Sequence, residues 1–164
     1  MSKTTDNLKS AFAGESQAYR KYKAFAKKAE EEGHYNAAKL FKAAAKAEKI
    51  HALSHMNNLG LLKSTAENLQ AAVQGETYEF TEMYPDFIQQ AKEEGNTAAA
   101  RAFHLANEAE KVHAKLYQDA LNNLNDKTEK TYYLCPICGF IEEGDQHERC
   151  PICGAMKSVF KKID

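Results

Sequence analysis

The sequence predicts an all-α four-helix bundle followed by a small metal-knuckle domain, and three observations carry that expectation. Residues 6–124 are rich in Ala, Glu, Lys, Leu and Gln and nearly free of β-branched residues, which favours helix almost throughout. Within that region two stretches repeat each other in the same order. All four cysteines fall between 135 and 153, in two Cys-x-x-Cys turns.

The breaks in the helical region are few. Gly33 and Gly95 each follow a Lys/Glu-rich turn and suit a helix C-terminus, Asn96 or Thr97 suits the next start, and Ser64 with Glu67 forms a capping-box pattern. Four helices result, near 6–32, 35–57, 65–94 and 97–124. Short links join the first to the second and the third to the fourth, and segment 58–64 is left to cross between the pairs, as in a ferritin-like bundle. The pairs match in sequence: Gly14-Glu15 answers Gly75-Glu76 at an offset of 61, while AEEEG at 29–33 answers AKEEG at 91–95, and AEKIHA answers AEKVHA, both at 62. A duplicated hairpin implies a pseudo-twofold site between the copies. The polar run NDKTEKT closes the helical region, giving a bundle over 1–125, a linker over 126–131 and a cysteine domain over 132–164.

Charge excludes some partners. Lys and Arg number 22 against 23 acidic residues, so no net field draws the chain to nucleic acid or to an acidic membrane. The N-terminal residues lack the apolar core of a signal peptide and no run approaches the roughly 20 apolar residues of a membrane span, so a cytoplasmic protein is expected. In that reducing compartment clustered cysteines bind metal more often than they pair as disulfides.

The acidic residues lie on the wrong face of each helix. Glu15 falls within the stripe Leu8, Phe12, Ala18, Tyr19, Tyr22, Ala26, Ala29; Glu48 and His51 follow Ala37, Phe41 and Ala44; Glu110 and His113 follow Ala99, Phe103 and Ala106. On the third helix Glu76, with Glu79 beside it, interrupts Leu69, Val73, Met83 and Phe87. A buried carboxylate without a counter-charge costs several kcal/mol, so five need cations, and two ferrous ions supply them. Residues three apart share a helical face, so both members of Glu-x-x-His can reach one ion. A Glu from each of two helices plus Glu-x-x-His from each of the others is the ferritin-like di-iron or di-manganese pattern, and its oxygen-rich shell suits those metals. A lone Glu-x-x-His is usually a solvated pair; two in register with two further glutamates are not. His55 reads as a bundle-end histidine, His34, His104 and His147 have no constellation, and Tyr19, Tyr22, Tyr84 and Tyr117 read as core aromatics, some able to serve the site through their hydroxyls.

Cys135-Pro-Ile-Cys138-Gly and Cys150-Pro-Ile-Cys153-Gly converge four sulfurs on one ion in a tetrahedral site. Spacing alone leaves iron and zinc open. With every thiol provided with a metal, catalytic cysteine chemistry is the weak alternative.

Taken together, AFAGESQAYRKY, AEKIH, GETYEFTEMYP, AEKVH and the two CPICG knuckles resemble the rubrerythrin family over nearly the whole chain. The resemblance implies a β-rich rubredoxin-like domain with its four cysteines on one metal, two irons in the bundle and one on the cysteines, with zinc a possible substitute there. It implies a cytoplasmic, dimeric peroxidase that reduces hydrogen peroxide to water with electrons from an external donor, such as a rubredoxin or an NAD(P)H-dependent reductase. No Gly-rich dinucleotide fingerprint occurs in this chain, which places any nicotinamide upstream. Glu48 and Glu110 then match bridging carboxylates, Glu15 a terminal ligand of the first iron, and Glu76 with His113 ligands of the second. His51 and Glu79 match a pair that alternates on the first iron, and Tyr22 and Tyr84 match tyrosines that steady ligands or relay protons. Two rivals remain at this point: a ferroxidase or iron-handling ferritin-like protein, and a structural module with zinc on its cysteines.

Overall fold

Ser2 opens the first helix by accepting a hydrogen bond from the Thr5 N–H at 3.2 Å, and α1 then runs over Lys3–Glu31. Tyr35–Asn58 form α2, Thr65–Tyr78 form α3, Tyr84–Glu93 form α4 and Thr97–Asn122 form α5. These come from a computed structural model that describes residues 2–145 and 147–163. The chain divides into two units, Met1–Lys63 and Ser64–Asp164.

The ends of α1, α2 and α4 share one closing device. Gly33, Gly60 and Gly95 adopt φ of +77°, +65° and +69°, a left-handed backbone that costs other residues a Cβ clash. In each case the next residue's N–H reaches five residues back: His34 to Ala29 O at 2.8 Å, Leu61 to Met56 O at 3.2 Å and Asn96 to Ala91 O at 2.8 Å. This Schellman geometry satisfies carbonyls that the helix end would leave unpaired. At the start of α3 the expected capping box is present, Ser64 and Glu67 each bonding the other's backbone N–H.

Within the first unit α1 packs on α2 through alanines: Ala26, Ala29, Ala38, Ala45 and Ala52 are all buried. The second unit repeats this with Ala91, Ala109 and Ala114, as α3 and α4 pack on α5. The duplication extends to aromatic geometry. Tyr22, Phe25 and Phe41 form a triad with ring centroids 5.5–6.2 Å apart. Their counterparts 62 residues on, Tyr84, Phe87 and Phe103, form another at 5.5–6.3 Å.

The expected single helix over 65–94 is interrupted by one wide turn. Glu79–Met83 are π-helical, with the Tyr84 N–H bonding Glu79 O five residues back, and Pro85 follows, where it lacks a donor for the normal ladder. A π-turn is one residue inserted into an α-helix. That insertion accounts for the change in repeat offset from 61 at Glu76 to 62 at Tyr84.

After α5 come three short strands, β1 (Tyr132–Leu134), β2 (Ile141–Glu143) and β3 (Lys161–Ile163), in an antiparallel sheet of order β2-β1-β3. Cys135, Phe140 and Cys150 form the buried centre of this part, and Val112 of α5 packs against them. Among the described residues, no helix is long and apolar enough to cross a membrane.

Candidate metal centres

The cysteine centre is built from two matching turns. Cys135 N–H bonds Phe140 O at 2.8 Å and Gly139 N–H bonds Cys135 O at 3.0 Å; Cys150 N–H bonds Ala155 O at 2.8 Å and Gly154 N–H bonds Cys150 O at 2.9 Å. Gly139 and Gly154 have φ of +85° and +76°, which lets each loop fold back over its sulfurs. The four sulfurs converge, with Cys135 and Cys153 Sγ 3.6 Å apart and Cys138 and Cys150 Sγ 3.5 Å apart. A tetrahedron of sulfurs about 2.3 Å from a central ion has edges of about 3.7 Å, so the donor set fits one metal. Burial pushes the Cys138 and Cys153 thiols up. Burial also opposes the Cys135 thiolate, but the Cys138 and Ile137 N–H groups outweigh it and hold that thiol below its ordinary range. Four such sulfurs can all be thiolates only around a cation.

In the first unit α1 brings Glu15 to Glu48 and His51 of α2, their ligating atoms all within 4.8 Å of one another. His51 Nδ1 lies 3.0 Å from Glu48 Oε2. The carboxyls of Glu15 and Glu48 share a hydrogen bond, which raises the pKa of Glu15 and lowers that of Glu48.

The second unit repeats the group with Glu76 of α3 and Glu110 and His113 of α5, again within 4.8 Å. His113 Nδ1 lies 2.6 Å from Glu110 Oε2. Burial, then the neighbouring Glu110, raises Glu76 to about 7. Glu76 and Glu110 crowd two carboxyls into one group, where a cation would offset the charge they share. Glu79, in the π-turn, falls outside the three-residue group but stands in its field: burial and then Glu110 raise its pKa, while His113 lowers it. Tyr84 faces the same acids, its pKa raised by burial and then by Glu79, Glu110 and Glu76. Tyr22 sits in the aromatic triad of the first unit.

The two histidines differ. His113 donates from Nε2 to Gly139 O at 2.9 Å, and its Nδ1 faces the Glu110 carboxylate. His51 is 54% exposed and, among the described residues, its ring bonds only Glu48, whereas His113 is 15% exposed. A polar pair that the sequence did not reveal lies in the cysteine domain. There, buried Glu142 accepts from the His147 backbone N–H at 3.1 Å and pairs with its ring Nδ1.

Family models match both parts of the chain: the rubrerythrin model matches residues 6–121, and the rubrerythrin rubredoxin-like domain model matches residues 133–161. Nigerythrin of Nitratidesulfovibrio vulgaris is 43% identical, covering 96% of this chain and 85% of the relative. Rubrerythrin-2 of Clostridium acetobutylicum is 39% identical over 96% of this chain and 95% of its own. The solved structure "Fully reduced state of nigerythrin (all ferrous)" superposes with a TM-score of 0.62 at 40% identity, covering 99% of this chain and 88% of that one. Paired Glu, Glu-x-x-His groups and a four-sulfur cage agree with the di-iron site and the rubredoxin-like iron domain of those proteins, and the chain belongs to the rubrerythrin family.

Proposed function

We propose that the protein is a non-haem di-iron peroxidase that reduces hydrogen peroxide to water and protects the cytoplasm against oxidative stress. The reaction takes one peroxide, two electrons and two protons to two waters. The observation that carries this reading is the hydrogen bond from His113 Nε2 to Gly139 O, which ties an imidazole of the helical acid group to the knuckle bearing Cys138. A relay wired to a ligand serves repeated turnover. Iron storage, the rival activity, has no use for one.

Two ferrous ions in the bundle would give one electron each to peroxide. Glu48 and Glu110 are assigned as the carboxylates shared between them, Glu15 as a ligand of the first iron, and Glu76 with His113 as ligands of the second. His51 and Glu79 are assigned as ligands that exchange on the first iron. Tyr22 and Tyr84 can steady these ligands and pass protons through their hydroxyls. Cys135, Cys138, Cys150 and Cys153 would hold a single iron, which would supply one-electron chemistry to an external donor such as a rubredoxin or an NAD(P)H-dependent reductase. The working domains are 1–125 and 132–164, joined by 126–131, in a homodimer.

Metal analysis and rapid mixing test this reading. Anaerobically reconstituted protein should carry about three irons per chain, two on the helices and one on the cysteines. Reduced protein should be oxidised far faster by hydrogen peroxide than by oxygen. One metal per chain, or faster reaction with oxygen, would favour the rivals.

A further inference from the structure

The second hairpin departs from the first at the π-turn Glu79–Met83 and again at Asn107 of α5, which stands where the first hairpin, 62 residues earlier, has Ala45. Ala45 is 3% exposed and Asn107 is 6% exposed, so both places are packed and an alanine is enough to fill one of them. Asn107 lies one turn after Phe103 and one turn before Glu110, and residues so spaced share a helical face. Its burial puts it on the face that α5 turns to α3, the π-turn and α4. Tyr84, which follows the π-turn, spans the same stretch: its ring meets that of Phe103 at 6.3 Å between centroids, and its pKa is raised by burial and then by Glu79 and Glu110. The phenol therefore runs along α5 from Phe103 towards Glu110, past Asn107. The Asn107 amide is turned with its nitrogen outward. Nδ2 donates to Glu108 Oε1 at 3.3 Å, and Glu108 in turn accepts from Lys111 Nζ at 2.6 Å. Oδ1 is left buried, and no donor among the described residues reaches it. A buried carbonyl without a donor is a cost that an alanine at this place would not incur.

We propose that Asn107 Oδ1 holds one water molecule between α5 and the π-turn, that this water also meets the Tyr84 hydroxyl, and that the two together deliver protons for the reduction of peroxide. The inference rests on the peroxidase reading above and gives that reaction a proton source. Water has the fitting chemistry, because Oδ1 can only accept, and a buried water can donate to it and still exchange a hydrogen bond with a phenol. An amide suits the place better than a carboxylate, since it accepts without adding charge to a group that already holds Glu76 and Glu110. As Tyr84 gives its proton to an oxygen of the peroxide being reduced, one O–H bond breaks on the water and one forms on the phenolic oxygen. The water regains its proton from solvent, and the two electrons come from the reduced bundle. Asn107 itself neither gains nor loses a proton. It is a positioning residue that acts through the water.

Two nearly isosteric substitutions separate the proton relay from packing. Asn107→Thr keeps an oxygen acceptor and Asn107→Val does not, while both replace the amide by a β-branched side chain of similar size. Reduced holoprotein is mixed with hydrogen peroxide in H2O and in D2O, and bundle iron and circular dichroism are measured for each variant. Asn107→Val should be oxidised about 10-fold more slowly and with a larger solvent isotope effect, and Asn107→Thr should stay within about twofold of the wild type. Equal slowing of the two variants, or Asn107→Val at the wild-type rate and isotope effect, would overturn the relay and leave the peroxidase reading intact. If Asn107→Val fails to fold or to hold iron, Asn107→Ala is compared with Asn107→Ser in the same way. A high-resolution crystal structure of the wild-type protein should show a water about 2.7–3.2 Å from both Asn107 Oδ1 and the Tyr84 hydroxyl, and a dry site would overturn the proposal. That water in a reconstituted protein whose helices hold no iron would overturn the peroxidase reading while upholding the water site.

Discussion

His113 Nε2 donates to the carbonyl oxygen of Gly139 at 2.9 Å, joining the helical acid group to the cysteine knuckle by one hydrogen bond. Gly139 is at once the residue after Cys138, the closing residue of its turn and the acceptor for the His113 imidazole. Gly139→Ala meets no atom within 4 Å of the new Cβ, so its cost is the left-handed backbone at φ +85°, about 1–2 kcal/mol. Relaxation of that strain should move the carbonyl. The expected result is slower passage of electrons from an external donor to the bundle, with peroxide oxidation of the pre-reduced bundle unchanged. Equal rates in both assays would remove the bond from the electron route.

Cys150→Ser removes one sulfur from the cage while leaving the helical acid groups intact. A single oxidation of pre-reduced protein by peroxide should proceed at the wild-type rate, and steady turnover with an external donor should cease. Parallel loss in the two measurements would contradict the relay assignment.

Glu79 and His51 should fail differently. Glu79→Ala is expected to bind both ferrous ions but to reach the diferric state about 10- to 100-fold more slowly, because no added carboxylate offsets the gained charge. His51→Ala is expected chiefly to weaken the diferrous form, seen as lower iron retention after reduction. Crystal structures in both oxidation states that show the same ligands on the first iron would eliminate the exchange.

Metal-free protein should lose stability as pH rises. Glu76 keeps its proton to about pH 7 in the folded chain against an ordinary value of 4.5. Between those values the folded state binds more protons than the unfolded state, and stability falls with pH. Glu79 and Glu15 shift the same way, while Glu48 shifts in the opposite direction. The urea midpoint of apoprotein should therefore be higher at pH 5 than at pH 7.5, and iron should abolish the decline. A midpoint rising over that range without metal would contradict the assigned burial of Glu76 and Glu79.

Much of this was legible in the sequence because helices write their contacts periodically. Glu-x-x-His puts Glu48 beside His51 and Glu110 beside His113 through helix geometry alone, and the repeat pointed to Glu15 and Glu76 as partners on the adjacent helix. The caps at Gly33, Gly95 and Ser64 were equally readable, being local chemistry. Glu142 and His147 were not, since they meet across a loop with no period to betray them. The π-turn was written as a change of offset between repeats, but a composition that favours helix throughout hides one extra residue.

The π-turn at Glu79–Met83 also records how the two hairpins became unlike. They differ by a single codon's worth of chain between Glu76 and Tyr84, and beyond it the old correspondence resumes, triad for triad. A duplicated gene begins with two identical halves and, left so, gives two interchangeable metal positions. Lengthening one copy by one residue, or shortening the other, rotates everything upstream by about 100° relative to everything downstream unless the helix widens to absorb it. Widening leaves both flanking faces where they were and frees the inserted stretch to face elsewhere. So small an inheritance is enough to give two ancestral twins separate occupations.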